Sequence, residues 1–147
     1  MELLKLAALD AEDLTVISAH LQDAILRPED LTYLMAEKRF ALVLRRFDWS
    51  AGPKARPRRR LTGLHFERVL GVRTRGLRQG PDAMPLSLLA MTFTPGDAPS
   101  GHVEILFSGN GTIRLEVECI EVRMRDLGPV WEAAKRPGHD DAAGPAA

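Results

Sequence analysis

The sequence predicts an α+β fold in which a bent antiparallel sheet of about six or seven strands is covered by two helices. Three observations support this prediction: several segments alternate apolar and polar residues, one segment has helical spacing, and glycine and proline separate the segments. The 147 residues, 45% hydrophobic and 27% charged, fit one globular domain over residues 1–137. Residues 138–147 are expected to form a disordered tail.

The two helices are predicted near the ends of this domain. Asp10 is suited to cap the first helix, with Asp13 in the capping-box position three residues later. The apolar stripe of this helix comprises Leu14, Ile17 and Leu21. A second, short helix is predicted to begin at Gly128-Pro129 and to stop at Pro137.

Strands are predicted between the helices. They cover residues 31–35, 39–44, 64–73, 86–94, 103–107 and 113–117. The second of them can continue to Trp49, and a β-bulge is predicted near Cys119, because the apolar positions switch from odd to even beyond Val117. A meander of this kind with a terminal helix also suits a pleckstrin-homology-like roll, by analogy of fold alone.

The last hairpin is predicted to have a loop of odd length. A three-residue loop, Gly109–Gly111, pairs Phe107 with Ile113 and brings the apolar faces of both strands together. A five-residue loop would keep the same parity. An even loop would set apolar residues against polar ones.

Four side chains on the outer face of this hairpin are weak candidates for a metal site. They are His102, Glu104, Glu116 and Glu118. The three-residue register sets Glu104 opposite Glu116, and opposed like charges in a sheet require a cation nearby. Salt bridges to Arg114 or another arginine are the preferred interpretation, since no tight ligand motif is present. No cofactor is predicted.

Positive charge is concentrated in the middle of the chain. Residues 45–78 contain 11 basic and two acidic side chains, a net charge of +9, whereas the whole chain is neutral. Basic residues here could bind an anionic partner, either a nucleic acid or an acidic protein surface. The candidates are Lys54, Arg56, Arg58, Arg59, Arg60, Arg73 and Arg75. Alternatively, the segment from Lys54 to Arg60 is a solvated loop that offsets the acidic flanks.

The sequence favours a small non-enzymatic binding or accessory module. It contains neither a nucleophile elbow nor a phosphate-binding glycine loop, although His65 and Glu67 share a strand face. An enzyme or metal protein built on the last hairpin is one alternative, and a homodimer or complex subunit is another. The homodimer is predicted because Phe47 shares its parity with Ala41 and Val43, opposite the other apolar face of the same strand.

Four parts of the sequence resemble a known family. They are LDAEDL (9–14) with SAHLQD (18–23), KRFAL (38–42) with RFDW (46–49), GLHFERV (63–69), and ECIE (118–121) with DLGP (126–129). Together they resemble a small alphaproteobacterial family known as domain of unknown function 2948. The resemblance implies a bacterial, cytoplasmic setting but transfers no activity, ligand or catalytic residue.

Two further observations agree with the cytoplasmic prediction. Cys119 is the only cysteine, so an internal disulfide cannot form. The first residues lack the basic start of a secretory signal, and no apolar run approaches the length of a bilayer span. No membrane contact is therefore predicted.

Overall fold

The structure is a computed structural model that describes residues 3–48, 58–78 and 83–132. One α-helix and ten strands follow one another along these residues. They are β1 (Lys5–Ala8), α1 (Ala11–Leu21), β2 (Ile25–Leu26), β3 (Leu31–Leu34), β4 (Arg39–Phe47), β5 (Arg58–Phe66), β6 (Val69–Arg75), β7 (Leu86–Pro95), β8 (Gly101–Phe107), β9 (Thr112–Val117) and β10 (Val122–Glu132). Trp49 and residues 138–147, on which two of the predictions depend, lie outside the described residues.

All ten strands belong to one antiparallel sheet. Its order is β1-β10-β5-β4-β2-β7-β8-β9-β6, and β3 also pairs with β4. The short strand β2 joins a first half-sheet (β1, β10, β5, β4 and β3) to a second half-sheet (β7, β8, β9 and β6), because it pairs with both β4 and β7. The inner faces of both half-sheets and one face of α1 share a single apolar core.

The helix α1 begins where its capping residue predicts. Asp10 has extended backbone angles, and its Oδ1 accepts a hydrogen bond from the backbone N–H of Asp13 at 2.8 Å. Leu14, Ile17 and Leu21 are buried against the sheet, so the predicted apolar stripe is confirmed. No helix in the described ranges combines the length and apolarity needed to cross a membrane.

The prediction of a six- or seven-stranded sheet with two helices is wrong. The segment predicted as the second helix instead continues β10 to Glu132, because its backbone pairs with the start of β5, with Val130 opposite Arg60. Gly128 has a φ of +106°, and the register shifts between Asp126 and Val130. Here the glycine allows a bulge rather than a helix start. The pleckstrin-homology-like roll is wrong as well, because it requires the terminal helix and this segment is a strand.

The long strand predicted over residues 64–73 is in fact two strands in different half-sheets. Arg68, with a φ of +57°, turns the chain between β5 and β6. β5 pairs with β4 and β10, whereas β6 pairs with β9. The alternation of apolar residues continues on both sides of the turn, so spacing alone does not reveal it. Residues 58–60, predicted as part of a loop, form the start of β5.

The last hairpin has a loop of odd length, as predicted, but the three loop residues are Ser108–Asn110, one position earlier than predicted. Ile105 pairs with Ile113, and the N–H of Phe107 donates to the carbonyl of Gly111 at 2.8 Å. The pairing of Phe107 with Ile113 is therefore wrong by two residues. The predicted bulge near Cys119 is also wrong, since residues 118–121 separate β9 from β10 and β10 pairs elsewhere.

The carboxylate of Asp126 ties together the strands of the first half-sheet. Arg46 donates to both of its oxygens at 2.8 Å, and the hydroxyl of Thr62 and the backbone N–H of Leu4 each donate at 2.9 Å. The Arg46 and Asp126 side chains are 5% and 1% exposed. Burial alone would raise the pKa of Asp126, but these hydrogen bonds and the Arg46 charge outweigh it and lower the pKa.

Replacing Asp126 is expected to destabilise the protein strongly. Asp126→Asn leaves the buried guanidinium of Arg46 without a counter-charge, which costs about 3–5 kcal/mol of unfolding free energy. The measurement is urea unfolding at neutral pH. Glu118→Gln is the control, because Glu118 pairs with Lys38 at the surface and its loss should change stability little. An equal loss in both variants would contradict this account.

The same carboxylate should make stability depend on pH. Because the pKa of Asp126 is lowered on folding, its contribution is present above the unfolded value of about 3.9 and is lost as the pH falls through the folded value. As the pH is lowered through the acid range, the unfolding free energy should therefore fall more steeply for the wild type than for Asp126→Asn. Urea unfolding at each pH measures this free energy. Parallel curves would show that Asp126 is not the group responsible.

Candidate anion-binding groove

A groove of about 780 Å³ lies on the outer face of the first half-sheet. β4, β5, β10 and β1 each present alternate residues to it, while the residues between them face the core. Two cross-strand rows form its floor. The first row is Ala41, His65, Arg123 and Ala7, and the second is Val43, Gly63, Arg125 and Lys5.

Three cations of this groove have no partner within the described residues. Lys5, Arg123 and Arg125 are exposed, and no hydrogen bond or ion pair joins them to another described side chain. Lys5 lies directly opposite Arg125 across the β1–β10 ladder. Arg123 and Arg125 are two residues apart on one strand, about 6.6 Å along it. Opposed like charges in a sheet are destabilising, so this arrangement is costly in the absence of an anion.

A bonded cluster closes one end of the groove. Glu67 Oε2 accepts a hydrogen bond from Arg39 Nε at 2.8 Å and lies 2.6 Å from His65 Nδ1. Partial burial raises the pKa of Glu67, but the hydrogen bonds from Arg39 and His65 lower it by more. Because an ionised carboxylate only accepts hydrogen bonds, Nδ1 of the imidazole is the donor in this contact.

The floor beside the charged side chains is made of small and apolar residues. Ala7, Ala41, Val43 and Gly63 occupy the positions of the two rows that carry neither a charged side chain nor the imidazole. A Cβ at Gly63 would lie 3.5 Å from the side chain of Leu127, an ordinary contact distance. Gly63 is thus a position where a side chain fits but none is present, which keeps the floor of the groove low.

The described basic residues among those predicted from the sequence do not line this groove. Lys54 and Arg56 lie outside the described residues, so their role stays a prediction. Arg58 is half-buried at the start of β5. Arg73 and Arg75 are exposed on β6, in the second half-sheet. The described candidates are therefore divided between the two half-sheets and are not brought together.

Two of the predicted residues, Arg59 and Arg60, are buried. Arg60 Nε donates to Asp48 Oδ2 at 3.0 Å. Arg59 Nη1 donates to the carbonyls of Asp23 and Arg45 at 3.2 and 3.0 Å. Burial lowers the pKa of Arg59, although the charge of Asp23 acts in the opposite direction. Arg59 and Arg60 are 3% and 5% exposed, and the hydrogen bonds of their guanidinium groups stabilise the fold.

The weak metal candidates on the last hairpin form ion pairs instead of a ligand set. The observed register sets Glu104 opposite Arg114 and His102 opposite Glu116. Arg114 lies 3.0 Å from His102 Nδ1 and 3.3 Å from Glu116 Oε1. Glu118 lies apart, 2.9 Å from Lys38. No group of three or more potential metal ligands occurs in the described ranges.

The second apolar face of β4 is accounted for by the same geometry. Ala41 and Val43 form part of the groove floor, whereas Phe47, of the same parity, is fully buried. The guanidinium of Arg59 lies 5.9 Å from the centre of the Phe47 ring. The residues that suggested a dimer surface therefore divide between the groove and the interior.

Comparison with known proteins gives one match. A family model described as "Protein of unknown function (DUF2948)" matches residues 4–139, nearly the whole chain. The chain belongs to this family. No curated protein and no solved structure matches it. Membership confirms the resemblance found in the sequence and assigns no activity to the groove.

Three of the four parts that resemble the DUF2948 family contribute to the groove. Residues 38–42 contribute Arg39 and Ala41, residues 63–69 contribute Gly63, and the last part contributes Glu121 and Leu127. The arginines of β10 lie between the two segments of this last part and were missed by the sequence analysis. Their signal is weak but present, because Arg123 and Arg125 alternate with core residues and must share the opposite face of a strand.

The open space above Gly63 predicts that alanine can replace this glycine and stabilise the protein. Gly63→Ala should raise the unfolding free energy by about 0.5–1 kcal/mol, because alanine favours the strand and its Cβ meets no clash. Thermal unfolding measures the change. Gly101→Ala is the control, since its Cβ would overlap the carbonyl oxygen of Thr94 and should destabilise the protein. A destabilised Gly63→Ala would show that glycine is required there by the fold.

Proposed function

We propose that the protein is a non-enzymatic binding module that holds an anionic partner in this groove. The observation that carries the proposal is the convergence of three unpaired cations, Lys5, Arg123 and Arg125, from opposite ends of the chain onto neighbouring strands. Their mutual repulsion is relieved by a bound phosphate or carboxylate. Arginine presents paired donors that match either group.

The balance of charge in the groove supports the same partner. Lys5, Arg39, Arg123 and Arg125 line it together with two carboxylates, Glu67 and Glu121. Both carboxylates are already bonded, Glu67 to Arg39 and His65, and Glu121 to Arg68 at 3.2 Å. The remaining positive charge lies over an apolar floor, and a concave surface of this kind concentrates the field on an incoming anion.

A second copy of the chain does not fit this face. In a two-fold dimer both copies contribute the same patch, so the positively charged grooves of the two copies would face each other. We therefore assign the face to an anionic partner and not to the homodimer that the sequence predicts. We also place the protein in the bacterial cytoplasm, as the family resemblance implies and as the lone Cys119 allows.

Binding should depend on the groove arginines and on salt. The double variant Arg123→Ala/Arg125→Ala should bind heparin on the order of tenfold more weakly than the wild type, with a shallower dependence on salt concentration. Fluorescence polarisation with labelled heparin at rising sodium chloride measures both quantities. A thymidine oligonucleotide and polyglutamate, tested in the same way, separate phosphate from carboxylate partners.

The matched control is Arg73→Ala/Arg75→Ala. These two arginines are also exposed, unpaired within the described residues and two positions apart on a strand, but they lie outside the groove. The control removes the same charge and should change affinity by less than about twofold. Equal weakening by both double variants, or no binding of any of the three anions at low salt, would refute the proposal.

A further inference from the structure

β1 is an edge strand whose outer edge offers unused backbone groups. Among the described residues it pairs with β10 alone. The N–H of Asp126 donates to the carbonyl of Leu4 at 2.9 Å, which makes Leu4–Asp126 a hydrogen-bonded pair. Because bonded pairs alternate along an antiparallel ladder, the N–H and C=O groups of Lys5 and Ala7 point away from β10.

The side chains of β1 and its flanks are arranged to receive another strand. The exposed residues alternate with the core residues, and they are Leu3, Lys5, Ala7 and Leu9. Leu3 and Leu9 are 48% and 71% exposed, one at each end of the row. The edge thus combines free backbone groups with an apolar residue at each end and a cation between them, beside the arginines of β10.

The charge on this edge selects the partner. Exposed edges are commonly protected from self-pairing by a lysine, and Lys5 repels a second β1 strand. An acidic strand would instead be attracted to Lys5, and Ala7 is small enough for Arg123 beside it to extend across β1. Nucleic acid fits less well, because its bases require stacking surfaces and the groove lining contains no aromatic ring other than the imidazole of His65.

We infer that β1 accepts an extended acidic segment of a partner protein as an additional strand. Backbone hydrogen bonds to Lys5 and Ala7 supply affinity, and carboxylates on alternate residues of the segment meet Lys5, Arg123 and Arg125. This inference rests on the proposed function, which requires only that the groove binds an anion. It adds that the anion is carried on a β-strand and that binding extends the sheet.

Two peptides of equal charge separate strand addition from simple charge attraction. One alternates glutamate with valine, and the other has the same sequence with its backbone amides N-methylated, so that it cannot donate a ladder hydrogen bond. We expect the wild-type protein to bind the valine peptide about tenfold more tightly in fluorescence polarisation. Equal affinity for both peptides would overturn the inference and leave the proposed function standing.

A substitution at the edge tests the backbone contact directly. Ala7→Pro removes an amide that faces away from β10, so the ladder within the protein is kept. We expect about tenfold weaker binding of the valine peptide and a smaller loss of heparin affinity, because heparin uses no backbone hydrogen bond of β1. Unchanged binding of the peptide would overturn the inference, whereas failure of the wild type to bind either probe would overturn the proposed function too.

The matched control uses the opposite edge of the sheet. Thr74 on β6 pairs with Ile113, and Ile113 belongs to the residues of β9 that bond to β8, so the Thr74 amide also faces away from its neighbour. Thr74→Pro should leave binding of the valine peptide unchanged. An equal loss in both proline variants would show that β1 is not the binding edge and would overturn the inference.

Amide hydrogen exchange gives a readout that does not depend on any variant. The amides of Lys5 and Ala7 should exchange more slowly when the valine peptide is bound, and heparin should not protect them. Sedimentation of the unbound protein completes the test. A dimer that Ala7→Pro dissociates would identify a second copy as the occupant of this edge and overturn the choice of an acidic partner.

Discussion

The buried pair of Arg46 and Asp126 fixes the geometry on which the groove depends. Asp126 accepts hydrogen bonds from β4, from β5 and from the residue that precedes β1, so one carboxylate sets the relative positions of four strands. The bonds between Leu4 and Asp126 lie one position before Lys5 and support the register that sets Lys5 opposite Arg125. The buried ion pair of Arg46 and Asp126 thus stabilises a sheet in which Lys5 and Arg125 lie close together despite their like charges.

Local signals in the sequence predicted the parts of the fold that local interactions decide. The cap at Asp10 fixes the start of α1, and alternation identifies β3, β4 and β7. The errors arose where distant pairing decides the outcome. Gly128-Pro129 is typical of a helix start, but pairing with the first residues of β5 stabilises a strand instead. Arg68 turns the chain without a glycine or proline to mark the turn.

The site was harder to predict than the fold, because basic residues that are close together in the sequence need not lie close together on the folded surface. The run of basic residues that includes Arg58–Arg60 led to the prediction of an anion-binding loop. In the structure Arg59 and Arg60 are buried in the interior. Arg123 and Arg125 belong to an acidic part of the sequence and look ordinary there. Only the pairing of β10 with β1, across almost the whole length of the chain, joins them to Lys5.

This pairing of the first described strand, β1, with the last described strand, β10, has a consequence for biosynthesis. A nascent polypeptide exposes β1 as soon as it leaves the ribosome, but the residues that pair with β1 are synthesised more than a hundred positions later. Until β10 is synthesised, the backbone groups on both edges of β1 have no partner strand among the described elements. Premature termination before Arg123 would yield fragments that retain Lys5 yet cannot assemble the binding surface.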